Sequence, residues 1–230
     1  MSVEVAGTAR PMPSGPLKLA VPRGNLLGDT LDLLDAAGIE TAAVRGESRA
    51  LIFSGERITL VTMRPSDVPT YVEAGAADVG IVGKDVLMEQ RERQVFELLD
   101  LGYGGCTMVL ATVAGEPDPA AEALRRLGVM RVATKYPRLA ARWLEDTGRQ
   151  AEIVEVKGSV ELAPLTGLVE AIVDLTATGT TLRENGLVVR EEILTSTARL
   201  IANPVAHKLK ATAIDEVVEG LRGVEGLRGG

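Results

Sequence analysis

Residues 155–187 read EVKGSVELAPLTGLVEAIVDLTATGTTLRENGL, and at their centre lies a short apolar run, 171–175, that contains a single acid, Asp174. An apolar run of this length predicts a buried strand. Residues 176–186 place a glycine among small hydroxyl residues and end on a second glycine, which predicts a tight turn and then a short helical turn. A strand, a small-residue loop and a helix start form a geometry that binds phosphate, because the first N–H groups of a helix are unpaired.

Two interpretations of the loop stay open from these residues alone. It is either a threonine-rich turn that caps a helix, or a cradle for a 5′-phosphate in which Asp174 accepts hydrogen bonds from ribose hydroxyls. Type I phosphoribosyltransferases use a similar arrangement. That family usually has two adjacent acids before the loop, whereas this chain has one.

Composition and charge narrow the class of protein. The chain has 230 residues and a net charge of −7, and aromatic residues make up 3%. An acidic balance with few aromatic side chains argues against nucleic acid as a partner. The single cysteine, Cys106, and the single histidine, His207, argue against disulfides, zinc sites and Ser-His-Asp triads.

The chain start and the hydropathy predict the compartment. The first 16 residues hold three prolines and no apolar run of signal-peptide length, so we expect a disordered tail over residues 1–16 and no targeting segment. No apolar run reaches the roughly 18 residues that a membrane span requires. We therefore expect a cytoplasmic protein that does not cross a membrane.

Charged residues follow three predicted strands in the first 90 residues, at the point where each strand turns into a helix. They are Arg23, Arg64, and Lys84 with Asp85. In an open α/β sheet such turns lie together at the carboxyl ends of the strands, where ligands bind. The sequence therefore predicts that these groups lie together at a ligand site.

The order of elements predicts an α/β protein in two lobes, with about ten strands and about seven helices. A glycine cluster at 102–105 predicts a crossover, so that residues 17–104 and 203–230 form the first lobe and residues 105–202 form the second. This is a periplasmic-binding-protein-like (type II) plan with mixed sheets and a central cleft, the usual place for a small ligand. Two strands and one helix are predicted near the end of the chain, over 187–189, 198–202 and 204–221.

Several separated segments resemble one enzyme family in sequence, spacing and order. Residues 155–187 carry Glu-x-x-Gly-Ser-Val-Glu-x-x-Pro-x-x-Gly-Leu, then Ala-Ile-Val-Asp, then Thr-Gly-x-Thr-Leu-x-x-Asn-Gly-Leu. Four other segments agree: VPRGNL at 21–26, RALIF at 49–53, MRPSDVPTYVEAGAADVGIVGKDVL at 63–87 and VATKYPRLA at 132–140. Together they resemble ATP phosphoribosyltransferase, which opens histidine biosynthesis.

The resemblance implies roles for residues of the second lobe. Asp174 would bind the ribose hydroxyls of phosphoribosyl pyrophosphate, and Glu161 would help to shape the ribose side of the site. The 5′-phosphate would lie on five consecutive loop residues: Ala177, Thr178, Gly179, Thr180 and Thr181.

The resemblance also implies roles for residues that we assign to the first lobe. Arg23, Arg49, Arg64 and Asp85 would face the cleft and the ATP or the pyrophosphate. Arg49 and Arg23 are the expected catalytic residues, with Arg49 as the main stabiliser of the leaving pyrophosphate. The sequence leaves open which phosphate each arginine contacts, and Arg45 is a further candidate.

The implied reaction displaces pyrophosphate from ribose C1 with N1 of the ATP adenine as the nucleophile, giving phosphoribosyl-ATP. Adenine N1 carries no proton, so the reaction needs no general base. The protein has to align the reactants and stabilise the departing negative charge. Mg²⁺ would arrive with the substrate phosphates, without a dedicated metal cage of protein carboxylates.

The length of the chain resembles the short form of the family, which lacks the regulatory domain that binds histidine. By that resemblance the chain forms homodimers and joins a regulatory subunit similar to histidyl-tRNA synthetase in a hetero-octamer. One departure concerns Asn25, which stands where the family often has a second basic residue. Either another arginine substitutes, or the charge is stabilised less strongly.

Two other functions stay as alternatives. Solute-binding modules share the two-lobed plan, but the missing signal peptide and the threonine-rich loop argue against that reading. A purine or orotate salvage phosphoribosyltransferase is disfavoured by the single acid before the loop.

Overall fold

The computed structural model describes residues 15–46 and 49–225, so the predicted tail lies outside the described residues except for its last two. Within these ranges the chain forms eleven strands and ten α-helices. The strands are β1 (Leu17–Pro22), β2 (Ile52–Ser54), β3 (Ile58–Met63), β4 (Val79–Gly83), β5 (Phe96–Asp100), β6 (Cys106–Val113), β7 (Met130–Thr134), β8 (Ala151–Glu155), β9 (Ala171–Thr176), β10 (Leu187–Ser196) and β11 (Ala198–Ala202). The helices are α1 (Leu27–Ala36), α2 (Ala42–Arg45), α3 (Val68–Glu73), α4 (Lys84–Glu89), α5 (Pro119–Leu127), α6 (Pro137–Asp146), α7 (Leu162–Leu165), α8 (Thr180–Glu184), α9 (Pro204–Leu209) and α10 (Ala211–Glu225). No helix in the described ranges combines the length and apolarity needed to cross a membrane.

The strands form two mixed sheets, which confirms the predicted α/β class. The first has six strands in the order β2-β3-β1-β4-β11-β5, and the second has five in the order β10-β6-β9-β7-β8. In the first sheet, β1 is parallel to β3 and β4, whereas β2 is antiparallel to β3. In the second sheet, β6 is antiparallel to β9 and β10, while β7 is parallel to β8 and β9.

The chain divides into two compact units at positions that differ in part from the predicted lobes. The first unit comprises Met1–Val82, Gln94–Leu99 and Leu200–Gly230, and the second comprises Gly83–Arg93 and Asp100–Arg199. The main difference is α4, which was predicted in the first lobe and belongs to the second unit.

Contacts between α4 and α6 explain this assignment. The two carboxylate oxygens of Glu89 accept hydrogen bonds from the backbone N–H groups of Arg138, at 3.1 Å, and Leu139, at 3.0 Å. These are orphan donors in the first turn of α6, so one side chain on α4 satisfies two of them. Asp85, which lies on α4, is therefore a residue of the second unit.

The second sheet is covered by apolar side chains on both faces. Successive residues of β6 point to opposite faces, as a strand requires: Met108 and Leu110 pack with Trp143 of α6, whereas Val109 and Ala111 pack with Leu182 of α8. Burial on both faces explains why β6 and β9 appear in the sequence as continuous apolar runs.

Two elements near the end of the chain differ from their predicted bounds. The predicted strand 187–189 continues as β10 to Ser196, with register shifts after Val189 and Glu192 that place charged residues along an edge strand. The predicted helix 204–221 is two helices that break at Lys210. The Lys210 ammonium pairs with Asp78 Oδ2 at 2.7 Å.

Asn203 joins three segments of the first unit, and its loss is expected to destabilise the fold. Its Oδ1 accepts from Val205 N and Ala206 N at the start of α9, and its Nδ2 donates to the carbonyls of Val72 and Glu73. We expect Asn203→Ala to lower the free energy of unfolding by about 2–3 kcal/mol, because a helix cap and buried hydrogen bonds are lost together. Urea denaturation followed by circular dichroism measures the change. Gln150→Ala removes an exposed amide and serves as the control, and an equal effect of both substitutions would contradict this account of Asn203.

Candidate active site

The loop between β9 and α8 is exposed, and its backbone is fixed by a hydrogen bond within the turn and by a buried leucine of α8. Gly179 is the N-cap of α8 and has a φ of 68°, in the left-handed region that favours glycine. Its N–H donates to Thr176 Oγ1 at 2.8 Å, which closes the turn. Leu182, the third residue of α8, is buried in the apolar cluster of the second sheet. The chain therefore presents exposed threonines on a fixed backbone. Thr178 Oγ1 donates to Thr180 Oγ1 at 3.0 Å and accepts from the Thr180 N–H at 3.4 Å.

Arg183 is a basic residue at this loop that the sequence reasoning missed. Its Nη1 donates to the carbonyl of Thr178 at 2.8 Å and its Nη2 donates to Thr180 Oγ1 at 2.9 Å. A Cβ added at Gly179 would lie 3.1 Å from Nη1. The signal that could have revealed Arg183 is its position on the first turn of α8, three residues after Thr180, where its side chain reaches back over the loop.

Asp174, just before the loop, is a buried carboxylate with two favourable neighbours. Its Oδ1 accepts from the N–H of Leu175 at 2.9 Å, and its Oδ2 lies 3.6 Å from the Lys135 ammonium. Burial raises the pKa of the Asp174 carboxyl above its usual value. The Lys135 charge and the Leu175 N–H lower this pKa, whereas the charge of Glu161 raises it.

Asp85 lies in the interior of the second unit rather than in the predicted first lobe. Its side chain is 8% exposed. Asp85 Oδ1 accepts a hydrogen bond from Ser196 Oγ at 2.9 Å. The backbone N–H of Asp85 donates to Ser196 Oγ, also at 2.9 Å. A Cβ on Gly83 would lie 2.2 Å from Asp85 Oδ1, so the carboxylate needs a glycine at that position.

Tyr136 connects the surroundings of Asp85 and Asp174. Burial is the main cause that raises the pKa of its hydroxyl, and the charges of Asp85 and Asp174 add to that rise together with a hydrogen bond to Asp85. Cys106 lies in the same region and hydrogen-bonds to Ser196, and burial with the Asp85 charge raises the pKa of its thiol. The second unit thus brings Asp174 and Asp85 near the hydroxyl of one tyrosine.

Three predicted arginines converge on one edge of the first sheet. Arg23 follows β1 and Arg64 follows β3, which is its parallel neighbour, and Arg23 N donates to the carbonyl of Met63 at 2.8 Å. Arg49 lies just before β2, which runs antiparallel to β3, and Leu51 accepts from Thr62 N at 2.8 Å. The start of β2 therefore lies beside the end of β3, and all three arginines follow or precede a strand at the same edge.

Ion pairing distinguishes these three side chains from Arg45. Arg23, Arg49 and Arg64 are exposed, and none of them forms an ion pair with another residue in the ranges 15–46 and 49–225. Arg45, by contrast, pairs with Asp32 and Asp35 at 2.7 and 2.8 Å. The guanidinium of Arg45 therefore serves the local structure around α2, which leaves three candidates for phosphate.

The described residues include no group of three or more His, Cys, Asp or Glu side chains placed to hold a metal ion. Each of the two buried carboxylates of the second unit, Asp85 and Asp174, already accepts a hydrogen bond within the protein. Mg²⁺ that binds with substrate phosphates needs only one or two protein carboxylates, so this mode of binding does not depend on such a group.

The chain is similar to known proteins in both sequence and structure. The family model of HisG, ATP phosphoribosyltransferase, matches residues 64–223. An ATP phosphoribosyltransferase from Rubrobacter xylanophilus is 55% identical over 198 residues, which cover 86% of this chain and 91% of that protein. The ATP phosphoribosyl transferase (HisG:HisZ) complex from Thermotoga maritima contains a chain of 35% identity, with a TM-score of 0.76 and coverage of 90% of this chain and 98% of that one.

A more distant similarity concerns the fold alone. The probable amino-acid ABC transporter extracellular-binding protein YtmK from Bacillus subtilis is 12% identical, with a TM-score of 0.59 and coverage of 92% of this chain and 93% of that one. This supports the predicted periplasmic-binding-protein-like fold, while the sequence matches separate this chain from solute-binding proteins. The chain belongs to the ATP phosphoribosyltransferase family, and it is a transferase of the first step of histidine biosynthesis.

Proposed function

We propose that this chain transfers the phosphoribosyl group of phosphoribosyl pyrophosphate to N1 of ATP, and that its second unit holds the donor through the loop 177–181 and Asp174. The observation that carries the proposal is the fixed, exposed loop that starts three residues after the buried carboxylate of Asp174. The left-handed Gly179 is the N-cap of α8, and the first N–H groups of a helix have no partner within the helix. Threonine hydroxyls on both sides supply further donors to a phosphate.

The ribose side of the proposed site uses Asp174 and Glu161. An ionised carboxylate accepts hydrogen bonds from hydroxyl groups, and such charge-assisted bonds are stronger than neutral ones. The charge of Glu161 raises the pKa of Asp174, which supports a position for Glu161 near Asp174. Asp85 is proposed to act from the second unit, where its charge and that of Asp174 both affect the Tyr136 hydroxyl.

The pyrophosphate is proposed to be stabilised by the arginines of the first unit. Arg49 and Arg23 carry this role, with Arg64 as a further substrate-binding residue. Their exposure and their lack of ion pairs within the described ranges support the proposal, because each guanidinium keeps all its donors for phosphate oxygens. Fixed positive charge that meets a developing negative charge lowers the barrier to departure of the leaving group.

Mg²⁺ is proposed as part of the substrate, bound to the phosphates of phosphoribosyl pyrophosphate. Mg²⁺ commonly keeps several waters and few protein ligands when it binds with substrate phosphates. The protein then needs to bind and orient the charged donor, which is the work assigned to the loop and the arginines.

We also propose the assembly and the compartment of the chain. The Thermotoga maritima relative is a complex of HisG with HisZ, and the similarity of this chain to the HisG subunit supports a homodimer that joins a regulatory subunit similar to histidyl-tRNA synthetase in a hetero-octamer. A biosynthetic role of this kind places the protein in the cytoplasm.

A spectroscopic assay tests the proposed reaction. The protein is mixed with ATP, phosphoribosyl pyrophosphate and Mg²⁺, with pyrophosphatase present, and the near-ultraviolet absorbance of the adenine is followed. We expect a change that requires both substrates, because adenine substituted at N1 absorbs differently. Product from a free base but not from ATP would instead indicate a salvage enzyme. Binding without turnover, also in the presence of the regulatory subunit, would indicate a binding module.

A further inference from the structure

Lys135 occupies a defined position next to Asp174 that the proposed function does not explain. The strands β7 and β9 are parallel neighbours, with Thr134 opposite Val173, so Lys135 and Asp174 are the next residues along each strand. Thr134 Oγ1 accepts from the N–H of Tyr136 at 2.8 Å, which fixes the turn that carries Lys135. The backbone therefore places the lysine beside the carboxylate.

The charges around Asp174 show what the lysine does there. The Asp174 side chain is 11% exposed and the Lys135 side chain is 39% exposed, and their charged atoms lie 3.6 Å apart. Three other influences face the carboxylate: the Glu161 charge, the Tyr136 hydroxyl and the Leu175 N–H. Burial and Glu161 oppose ionisation of Asp174, whereas the Lys135 ammonium and the Leu175 N–H favour the charged form.

We propose that Lys135 is a positioning residue of the ribose site, and that its ammonium keeps the Asp174 carboxylate ionised and oriented to accept hydrogen bonds from the ribose hydroxyls of the donor. This inference rests on the proposed function, because it takes from it the role of Asp174. Lys135 acts through the carboxylate, and its exposed ammonium leaves the buried face of Asp174 to the Leu175 N–H.

The inference predicts a pH-dependent defect. Asp174 binds hydroxyls in its ionised form, so binding is lost as the pH falls through the pKa of Asp174 in the folded protein. Removal of Lys135 removes an influence that lowers this pKa, so the pKa rises and the acid limb of binding moves to higher pH. At the alkaline end Asp174 is ionised with or without the lysine, and the defect disappears.

Titration calorimetry with phosphoribosyl pyrophosphate and Mg²⁺ between about pH 5 and pH 8 tests this. We expect Lys135→Gln to weaken binding of phosphoribosyl pyrophosphate about tenfold at the acid end, which corresponds to the loss of one charge-assisted interaction. At the alkaline end its affinity should equal that of the wild type. Lys135→Arg should keep the wild-type profile. Lys208→Gln removes an exposed lysine of the first unit and controls for net charge. Titration of the ligand phosphates is common to all variants and cancels in the comparison.

A double variant sharpens the test. Glu161→Gln in the Lys135→Gln background removes the charge that opposes ionisation of Asp174, so the acid limb should move back to lower pH. A loss of binding that is equal at all pH values would overturn the inference, since it would mean that Lys135 contacts the phosphates or serves only the fold. An acid limb that stays in place would overturn it as well.

Asp174→Asn separates this inference from the proposed function. If Asp174→Asn binds the donor as tightly as the wild type at every pH, the assignment of the ribose site fails. If Asp174→Asn weakens binding at every pH while Lys135→Gln leaves the profile unchanged, only the role of Lys135 fails.

Discussion

Gly179→Val is expected to raise the KM for phosphoribosyl pyrophosphate at least about 100-fold, because two charge-assisted hydrogen bonds of about 1.5 kcal/mol each would be lost. Valine disfavours the left-handed φ of 68° that Gly179 adopts. Its Cβ would also lie 3.1 Å from Arg183 Nη1, which holds Thr178 and Thr180. The loop would turn its N–H groups away from the 5′-phosphate. Steady-state kinetics with saturating ATP measure the effect.

Gly186→Val is the matched control for this substitution. Gly186 ends α8 with the same φ of 68°, and a Cβ there would have no heavy atom within 4 Å. Both valines strain the backbone by about 1–3 kcal/mol, so thermal denaturation should show similar losses of stability. Only Gly179→Val should raise the KM strongly. Equal KM values for the two variants would contradict the assignment of the loop to the phosphate site.

Arg49→Ala is expected to lower kcat about 10²- to 10³-fold, the usual effect of removing one preorganised donor from a developing charge. The KM for phosphoribosyl pyrophosphate should change much less, because the pyrophosphate becomes a better acceptor of hydrogen bonds as it leaves. Steady-state kinetics separate the two quantities. If Arg49→Ala left kcat unchanged and raised only the KM, the arginine would bind the ground state and its catalytic role would be wrong.

Arg45→Ala provides the control for the loss of a positive charge in the same segment. Arg45 is held by Asp32, Asp35 and the hydroxyl of Thr41, so its removal should affect α2 and leave kcat near the wild-type value. Arg49→Lys should recover only part of the rate, because an ammonium lacks the planar fork that binds two phosphate oxygens at once.

Local patterns were sufficient to predict most of the fold. The apolar runs at β6 and β9 and the glycine-ended turn at Gly179 depend on neighbouring residues alone, and the structure has them at the predicted positions. β10 is longer than its prediction because it pairs with β6 from Leu187 to Ser196, across two register shifts, and that pairing partner is distant in sequence. The final helix breaks at Lys210, where the backbone leaves the helical conformation with a φ of −123° and a ψ of 31°. The Lys210 side chain pairs there with Asp78, 132 residues away, and no local pattern contains that contact.

The candidate site was predictable where each residue follows a strand, and less so where partners are distant in sequence. Arg23 and Arg64 follow strands, Asp174 lies near the end of one, and all three were found in this way. The unit to which Asp85 belongs depends on α4 packing with α6 and on a hydrogen bond to Ser196, 111 residues later. The ion pair of Lys135 with Asp174 depends on β7 and β9 being neighbours in the sheet. The roles assigned to the site residues stay predictions.

A crystal structure of this protein with phosphoribosyl pyrophosphate and Mg²⁺ would test the assignment of the phosphate loop most directly. We predict that the 5′-phosphate oxygens lie within about 3.2 Å of backbone nitrogens of residues 178–181, with the ribose hydroxyls on the Asp174 carboxylate. A 5′-phosphate bound to Arg23 or Arg64, with the loop at β9 and α8 empty or holding the pyrophosphate, would contradict the account.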